Sequence, residues 1–315
     1  MTLRLLIPLF FGPIIFLAAT QSSAAEDKSH WDILIVAPHP DDETLGAAGV
    51  MIQALQQGKK VGVVVLTNGD GYPLAASTVT GTKITALTVK DYFALAAARQ
   101  QYVEKSLALI NFPSNNLHFL GYPDGGLTAI YHNKTDNPYR NELSQQSSTY
   151  GPHIADYHSV NFSKPAPYLK SSIISDLSHV IKQRQPQQIF VTSEFDGHGD
   201  HQAAFWFVRD AAVASGYQGT LNTYLIHSGN EHGDWPYPYT QDHNQPFQAH
   251  LKNGKQIPAG LDWPPQLRVA LSPEQAAKKL DMINQFDAEI VTAAFYMRAF
   301  IKSEEIFWPV TIQQN

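Results

Sequence analysis

"WDILIVAPHPDDETLG" (residues 31–46) is an apolar run that stops at a histidine between two prolines and then delivers three consecutive carboxylates. The stretch WDILIVA (31–37) is unbroken in its β-branched and apolar content, which predicts a buried strand. TLGAAGVMIQALQQG (44–58) predicts a helix that stops at Gly58. Asp41, Asp42 and Glu43 therefore fall at the turn from a strand's carboxyl end into a helix. Like charges side by side near a low-dielectric core repel one another and lose hydration, so the arrangement needs a compensating role.

Outward from that turn the chain alternates. KVGVVVLTN (60–68), LHFLG (117–121), QQIFVTSE (187–194) and NTYLIHS (222–228) read as strands. Helices are expected over about 88–110, at YLKSSIISDLSHVIKQR (168–184) and at HQAAFWFVRDAAVA (201–214). A final helix is expected at SPEQAAKKLDMINQF (272–286), with Ser272 as its N-cap. This repetition predicts an α/β fold: a mostly parallel sheet with helices on both faces and ligands at the strands' carboxyl ends. Three segments with acids or histidines reach that edge: HPDDE, EFDGHGDH and the Ile226–His227 pair. Long polar loops are expected at about 121–168 and 228–271, and no repeat or linker divides residues 26–315, which read as one domain.

The first residues differ in kind. Arg4, an apolar run from Leu5 to Ala19, and small residues up to Ala25 follow the pattern of a secretory signal peptide. Ser23 and Ala25, or Ser22 and Ala24, suit the cleavage positions; Pro8 and Pro13 interrupt a run already short for a membrane span. Residues 1–25 are thus expected to be removed, leaving an exported protein, periplasmic or secreted, with no stable membrane span. The chain has no cysteine, which excludes disulfides, thiolate nucleophiles, Cys-based zinc sites and a lipoprotein anchor. A net charge of −6 over 315 residues offers no basic patch for nucleic acid.

Two readings of the acid turn compete. Asp41 or Asp42 could cap the helix near Thr44, which needs no further chemistry. Alternatively His39 and Asp42, three apart, hold a divalent cation that offsets the repulsion, with a third ligand from EFDGHGDHQAAF (194–205). That segment offers His198 and His201 with Asp196 and Asp200 beside them. His227 closes a strand on the same edge and is a further candidate, whereas His118, His132, His153, His158, His179, His232, His243 and His250 read as surface or loop residues.

The chain resembles the PIG-L / LmbE-like family of metal-dependent N-deacetylases. The likeness rests on PHPDDETLG (38–46), LTNGDG (66–71), LGYPDGGL (120–127) and DGHGDHQAA (196–204), and runs from about 31 to 310. It implies a Rossmann-like three-layer domain and hydrolysis of an acetamido group, usually on an N-acetylglucosamine-type sugar or glycan, to a free amine and acetate. It implies Zn2+ as the usual metal, with Fe2+ also suited to two histidines and a carboxylate. By position it implies His39, Asp42 and His201 as metal ligands, Asp41 as general base, and His198 facing the substrate carbonyl with Asp200 orienting it. Arg99 and Asp124 would contact sugar hydroxyls, and His227 joins them as a substrate contact. The family often ends its last helix with a Ser/Thr-Gln pair where this chain has DAEI (287–290), and it often carries Glu shortly after the helical Arg, where this chain has RQQYVEK.

Competing functions remain at this level: an amidase on a non-sugar acyl amine, or a non-catalytic carbohydrate-binding relative. A binder has no use for the base and histidine that the resemblance assigns. Tyr72, Tyr122, Tyr131, Trp235 and Tyr237 are candidates for stacking on a sugar ring.

Overall fold

The computed structural model describes residues 30–312 apart from 152, 229–234, 241 and 253; the expected signal peptide and His232 lie outside the described residues. In chain order the elements are β1 (Ile33–Ala37), α1 (Asp42–Gln56), β2 (Val61–Thr67), α2 (Pro73–Thr80), α3 (Val89–Ala108) and β3 (Leu117–Tyr122). Then come α4 (Leu127–His132), α5 (Tyr157–Phe162), α6 (Lys170–Arg184), β4 (Gln188–Thr192), α7 (Gly199–Ser215) and β5 (Thr220–Tyr224). The chain ends with β6 (His250–Lys252), β7 (Lys255–Ile257), β8 (Leu267–Ala270), α8 (Pro273–Ile283), α9 (Asp287–Arg298) and β9 (Glu304–Val310).

Seven strands form one sheet in the order β3-β2-β1-β4-β5-β9-β8. The first five are parallel; β9 runs antiparallel to β5, and β8 antiparallel to β9. β1 is buried along its whole length, as a strand covered on both faces must be. Two separate cores explain this. One joins β1 and β2 side chains to α1, α8 and α9 (Met51, Met282, Met297); the other joins the opposite strand faces to α6 and α7 (Leu34, Leu177, Phe207). This is the three-layer, Rossmann-like α/β arrangement expected. The chain winds outward from β1 to β3, then returns to add β4 on the other side of β1. Such a reversal opens a crevice beyond the carboxyl ends of β1 and β4.

Three sequence expectations need correction. NTYLIHS is not a strand to its end: β5 stops at Tyr224, because the Ile226 and His227 N–H groups donate to the Asp196 carboxylate (2.8 and 3.0 Å) rather than to a neighbouring strand. The helix opened by the Ser272 capping box ends at Ile283, and a second helix, α9, starts at Asp287. The two long loops contain structure: α4 and α5 in the first, the β6–β7 hairpin and β8 in the second.

α1 is kinked at Ala47. A buried ion pair enters the helix there: Lys279 Nζ donates to the Leu45 carbonyl (2.7 Å) and to Glu305 (2.7 Å), while Glu305 accepts from the Gly49 and Val50 N–H groups (2.8 and 3.0 Å). Leu45 carbonyl and Gly49 N–H are each other's ordinary helical partners, so the pair replaces a backbone bond and bends the helix. A Cβ at Gly49 would lie 2.3 Å from Leu271 Cδ2 and 3.0 Å from the Glu305 carboxyl carbon, so a larger residue would have to displace both side chains.

Candidate active site

The Pro-His-Pro segment brings the chain out of β1, and α1 begins at Asp42. Asp41 occupies the N-cap position, yet its side chain makes no capping hydrogen bond. The capping reading therefore fails for Asp41. Its backbone lies at φ 125°, a conformation that costs an L-residue about 1–3 kcal/mol and that collects at functional sites. Glu43 supports the turn: its Oε2 accepts the Asp41 N–H (3.1 Å) and its Oε1 accepts the Thr44 hydroxyl (2.8 Å). Burial first, with weaker repulsion from Asp42, pushes Glu43 up to about 7.

α7 begins just past β4, with His198 as its N-cap and His201 in its first turn. The crevice thereby brings three atoms into a triangle. His39 Nδ1 is 3.1 Å from His201 Nε2 and 3.2 Å from Asp42 Oδ2, and His201 Nε2 is 3.2 Å from Asp42 Oδ2. Tetrahedral ligands about 2.0–2.1 Å from a zinc ion are roughly 3.3 Å apart, so the triangle has the dimensions of a metal's protein face. The electrostatics agree with a cation at its centre. Burial works against protonation of His39 and His201, yet Asp124, Asp200 and Asp42 hold His39 well above its ordinary value, and Asp42 and Asp196 push His201 up to about 10. Burial pushes Asp42 up, but His201 and His39 outweigh it and hold it well below the carboxylate range.

The outer nitrogens of both histidines face carboxylates, as is usual behind metal-binding imidazoles. His39 Nε2 lies 3.1 Å from Asp124 Oδ1 and 3.4 Å from Asp200 Oδ2; His201 Nδ1 lies 3.3 Å from Asp196 Oδ1. His39, Asp124 and Asp200 themselves present ligand atoms within 4.8 Å of one another, as do His39, His198 and His201. The first set lies on the far side of the His39 ring from the triangle.

Two expected roles change with this geometry. Asp200 does not hold His198 by its carboxylate. That carboxylate accepts the Gly125 and Leu127 N–H groups (2.7 and 3.0 Å) beside His39, and it is the Asp200 backbone N–H that donates to His198 Nδ1 (3.3 Å). With Nδ1 accepting, neutral His198 carries its proton on Nε2. Asp124 is occupied by His39 and by the Gly71 N–H (2.9 Å), so it supports the site first.

Arg99 changes most. It is almost wholly buried, and its guanidinium donates to the Pro40 carbonyl (2.7 Å), the Gly69 carbonyl (2.9 Å) and Asp41 Oδ2 (3.1 Å), while Nε lies 2.6 Å from Glu289 Oε1. Its contacts hold Asp41 in place and leave little for a sugar hydroxyl. Asp41 rises well above the ordinary carboxylate value because it is buried, with Asp42, Glu289 and Glu43 adding repulsion that Arg99 only partly offsets. A carboxylate beside the triangle and outside it, with raised proton affinity, suits a base.

His227 lies beside His201, with ring centroids 5.0 Å apart. The Tyr296 hydroxyl donates its one proton to the Ile226 carbonyl (2.6 Å), so at 2.9 Å it accepts from His227 Nδ1–H. His227 Nε2 is then the unprotonated nitrogen.

These side chains open on a cavity of about 580 Å³ whose far wall comes from α9: Glu289, Thr292, Phe295 and Tyr296. Of the aromatics singled out for stacking only Tyr72 lines it; Tyr239, Phe295 and Tyr296 do so unforeseen. Tyr122 is buried against Asp176, Tyr131 packs on Trp206, and Trp235 is buried with its indole N–H on the Leu225 carbonyl. Two of the remaining histidines are also not surface groups: His118 stacks on Trp31, and His158 Nδ1 lies 2.7 Å from Asp176 Oδ1, which accepts its proton.

Fold and site together define an α/β protein with a metal-competent two-histidine, one-carboxylate centre at its switch point. The family model for GlcNAc-PI de-N-acetylases (PIG-L) matches residues 34–212, and the chain belongs to that family. No curated protein matches the sequence. Among solved structures, the conserved protein TT1542 from Thermus thermophilus is 18% identical, with TM-score 0.50 over 90% of this chain and 96% of that one. The A40926 pseudoaglycone deacetylase Dbv21 is 17% identical, with TM-score 0.53 over 90% and 98%. GalB, a 4-carboxy-2-hydroxymuconate hydratase from Pseudomonas putida KT2440, is 14% identical, with TM-score 0.52 over 90% and 97%. Such likenesses establish the fold; since one neighbour is a hydratase, activity has to be argued from the site.

Proposed function

We propose that this protein is a metal-dependent N-deacetylase acting on an N-acetylglucosamine-type sugar or glycan. The observation that carries the proposal is the triangle of His39 Nδ1, His201 Nε2 and Asp42 Oδ2 with Asp41 beside it and held by Arg99 instead. Two imidazole nitrogens and one carboxylate suit Zn2+, and Fe2+ as well. A divalent cation held there would lower the pKa of a water toward about 7 and polarise the amide carbonyl.

The chain's own groups do the rest. Asp41 accepts the proton of the attacking water as its oxygen bonds to the amide carbon. His198, with its proton on Nε2, donates to the carbonyl oxygen as negative charge develops there. The C–N bond then breaks, the carbonyl re-forms as acetate, and the amine leaves with the proton that Asp41 took. The Arg99 contact keeps Asp41 turned toward the site throughout.

The test is acetate release from a panel of N-acetylated sugars by metal-loaded protein, beside Asp41→Asn. Release that falls by about 10²–10⁴-fold in the variant, with metal content unchanged, is the expected result. Release that survives in Asp41→Asn would overturn the assignment of the base, and release from non-sugar acyl amines alone would overturn the substrate. We also infer export, on the strength of Arg4, the apolar run and the small residues up to Ala25. N-terminal sequencing of the mature protein is expected to begin just after Ala24 or Ala25; retention of residues 1–25 would refute it.

A further inference from the structure

Every hydrogen-bonding group of His227 but one is taken. Its backbone N–H donates to Asp196 Oδ2 (3.0 Å), and its carbonyl accepts the Gly197 N–H (2.8 Å). Its Nδ1–H donates to the Tyr296 hydroxyl (2.9 Å), which spends its own proton on the Ile226 carbonyl (2.6 Å). The two rings are parallel to within 2°. The imidazole is thereby fixed in place, in orientation and in tautomer. What remains is Nε2, a lone pair with no hydrogen-bond partner among the described residues, on a side chain that lines the cavity. An acceptor held ready in this way suits a donor brought by a ligand.

Other polar groups of the wall have less to offer. Asp124 is occupied by His39 and the Gly71 N–H, the Tyr72 hydroxyl pairs with Thr292 (3.0 Å), and Glu289 lies against Arg99. Arg99 and Asp124, the residues expected to meet sugar hydroxyls, are thus turned to other work in this chain. His227 and Tyr296 both stand outside the matched region 34–212, so this acceptor lies beyond the part of the chain that the family model describes. Its position also narrows the donor it can meet. The His227 ring centroid is 5.0 Å from that of His201 and 5.7 Å from that of His198, so Nε2 serves a group beside the reacting carbonyl and not the far end of a sugar. A trans amide points its N–H away from its carbonyl oxygen. His227 instead stands beside His198, the donor to that oxygen. In an N-acetylglucosaminide the carbon bearing the acetamido group has two ring neighbours. The oxygen on C1 carries the glycosidic linkage and has no proton; the oxygen on C3 is a free hydroxyl.

Resting on the deacetylase reading for where the amide sits, we propose that His227 is a specificity-determining residue whose Nε2 accepts the C3 hydroxyl of the amino sugar, with Tyr296 as the positioning residue that keeps Nε2 free of a proton. The substrate class narrows to N-acetylated amino sugars with an unsubstituted C3 hydroxyl, and sugars carrying an ether there are excluded. A site that pairs with a substrate hydroxyl refuses the analogue lacking it, because the site's own polar group is then left unpaired.

The experiment compares methyl N-acetylglucosaminide with its 3-deoxy analogue on the metal-loaded parent, His227→Phe and Tyr296→Phe, with metal affinity measured on each by competition with a chelator. The parent is expected to favour the hydroxylated sugar by about tenfold or more in kcat/KM. His227→Phe is expected to bring the two sugars within about twofold of each other, Tyr296→Phe to fall between, and metal affinity to stay the same in all three. Each ratio compares two sugars on one protein, so a change in folded fraction cancels. A parent without preference, or a preference unmoved in His227→Phe, overturns the assignment and leaves the deacetylase reading standing. Metal affinity lost in His227→Phe would make His227 a ligand and overturns the assignment as well. A ratio in Tyr296→Phe equal to the parent's overturns the positioning role of Tyr296. If neither sugar is turned over, the deacetylase reading falls, and calorimetry with the same two sugars decides the rest. Preferential binding of the hydroxylated sugar, lost in His227→Phe, leaves the assignment standing; no such preference overturns both.

Discussion

Asp41 and Asp42 are neighbours with opposite proton affinities. Asp42 is held low by two imidazoles, and Asp41 is held high by burial among other carboxylates. On the function proposed above, that split would separate a ligand from a base, and it depends on which way each side chain turns. Asp196 shows how much of the site is support. One carboxylate meets the His201 ring and accepts the His198, Ile226 and His227 N–H groups. Asp196→Asn is expected to weaken metal affinity about 10–100-fold, read by competition with a chelator, while far-ultraviolet dichroism stays unchanged. His118 gives a pH dependence away from the site. Burial, helped by the Arg184 charge, lowers it to about 4 in the folded chain. Protonation then favours the unfolded chain, so stability is expected to fall as pH drops from about 6.5 to 4, by at most about 3 kcal/mol. His118→Phe is expected to flatten that slope in denaturant titrations; a slope unchanged by the substitution would show that other groups cause it.

Among the elements, α1 is the one whose shape the site depends on. Its first turn supplies the carboxylates, and its kink at Ala47 is made by Lys279 and Glu305 from α8 and β9. Breaking one member of a buried pair leaves the other charge uncompensated. Lys279→Met is expected to cost about 3–5 kcal/mol in chemical denaturation, with part recovered in Lys279→Met/Glu305→Leu. An undiminished loss in the double variant would mean that the pair matters for α1's backbone groups more than for its charge. The segment after β5 is a second case. Its sequence reads as strand, but the Asp196 carboxylate takes its N–H groups and turns His227 out of the ladder.

For the whole molecule, the sheet's reversal between β1 and β4 decides that HPDDE and DGHGDH meet. The centre joins segments 162 residues apart, so a bound ion ties the two halves of the parallel sheet together. Metal at about 100 times its dissociation constant is expected to stabilise the fold by about 2.7 kcal/mol and raise the thermal midpoint by several degrees. Chelation should reverse the gain, and scanning calorimetry with and without metal reads it directly. An equal midpoint in both states would show that no ion engages the folded triangle. Among the described residues no helix is long and apolar enough to cross a membrane.

The sequence by itself determined what is local: the alternation of strands and helices by hydrophobic run length, the Ser272 cap, and the clustering of acids and histidines at strand ends. Each depends on neighbours a few residues away, and the parallel sheet follows from their alternation. Only the tertiary structure decided the rest. Asp200 turned to the peptide N–H groups of Gly125 and Leu127, Arg99 to Asp41, and α9 brought Glu289, Phe295 and Tyr296 to the cavity. No periodicity records these choices. A buried polar group bonds to whichever partner the packing brings within about 3 Å, and those partners come from elements far apart in the chain.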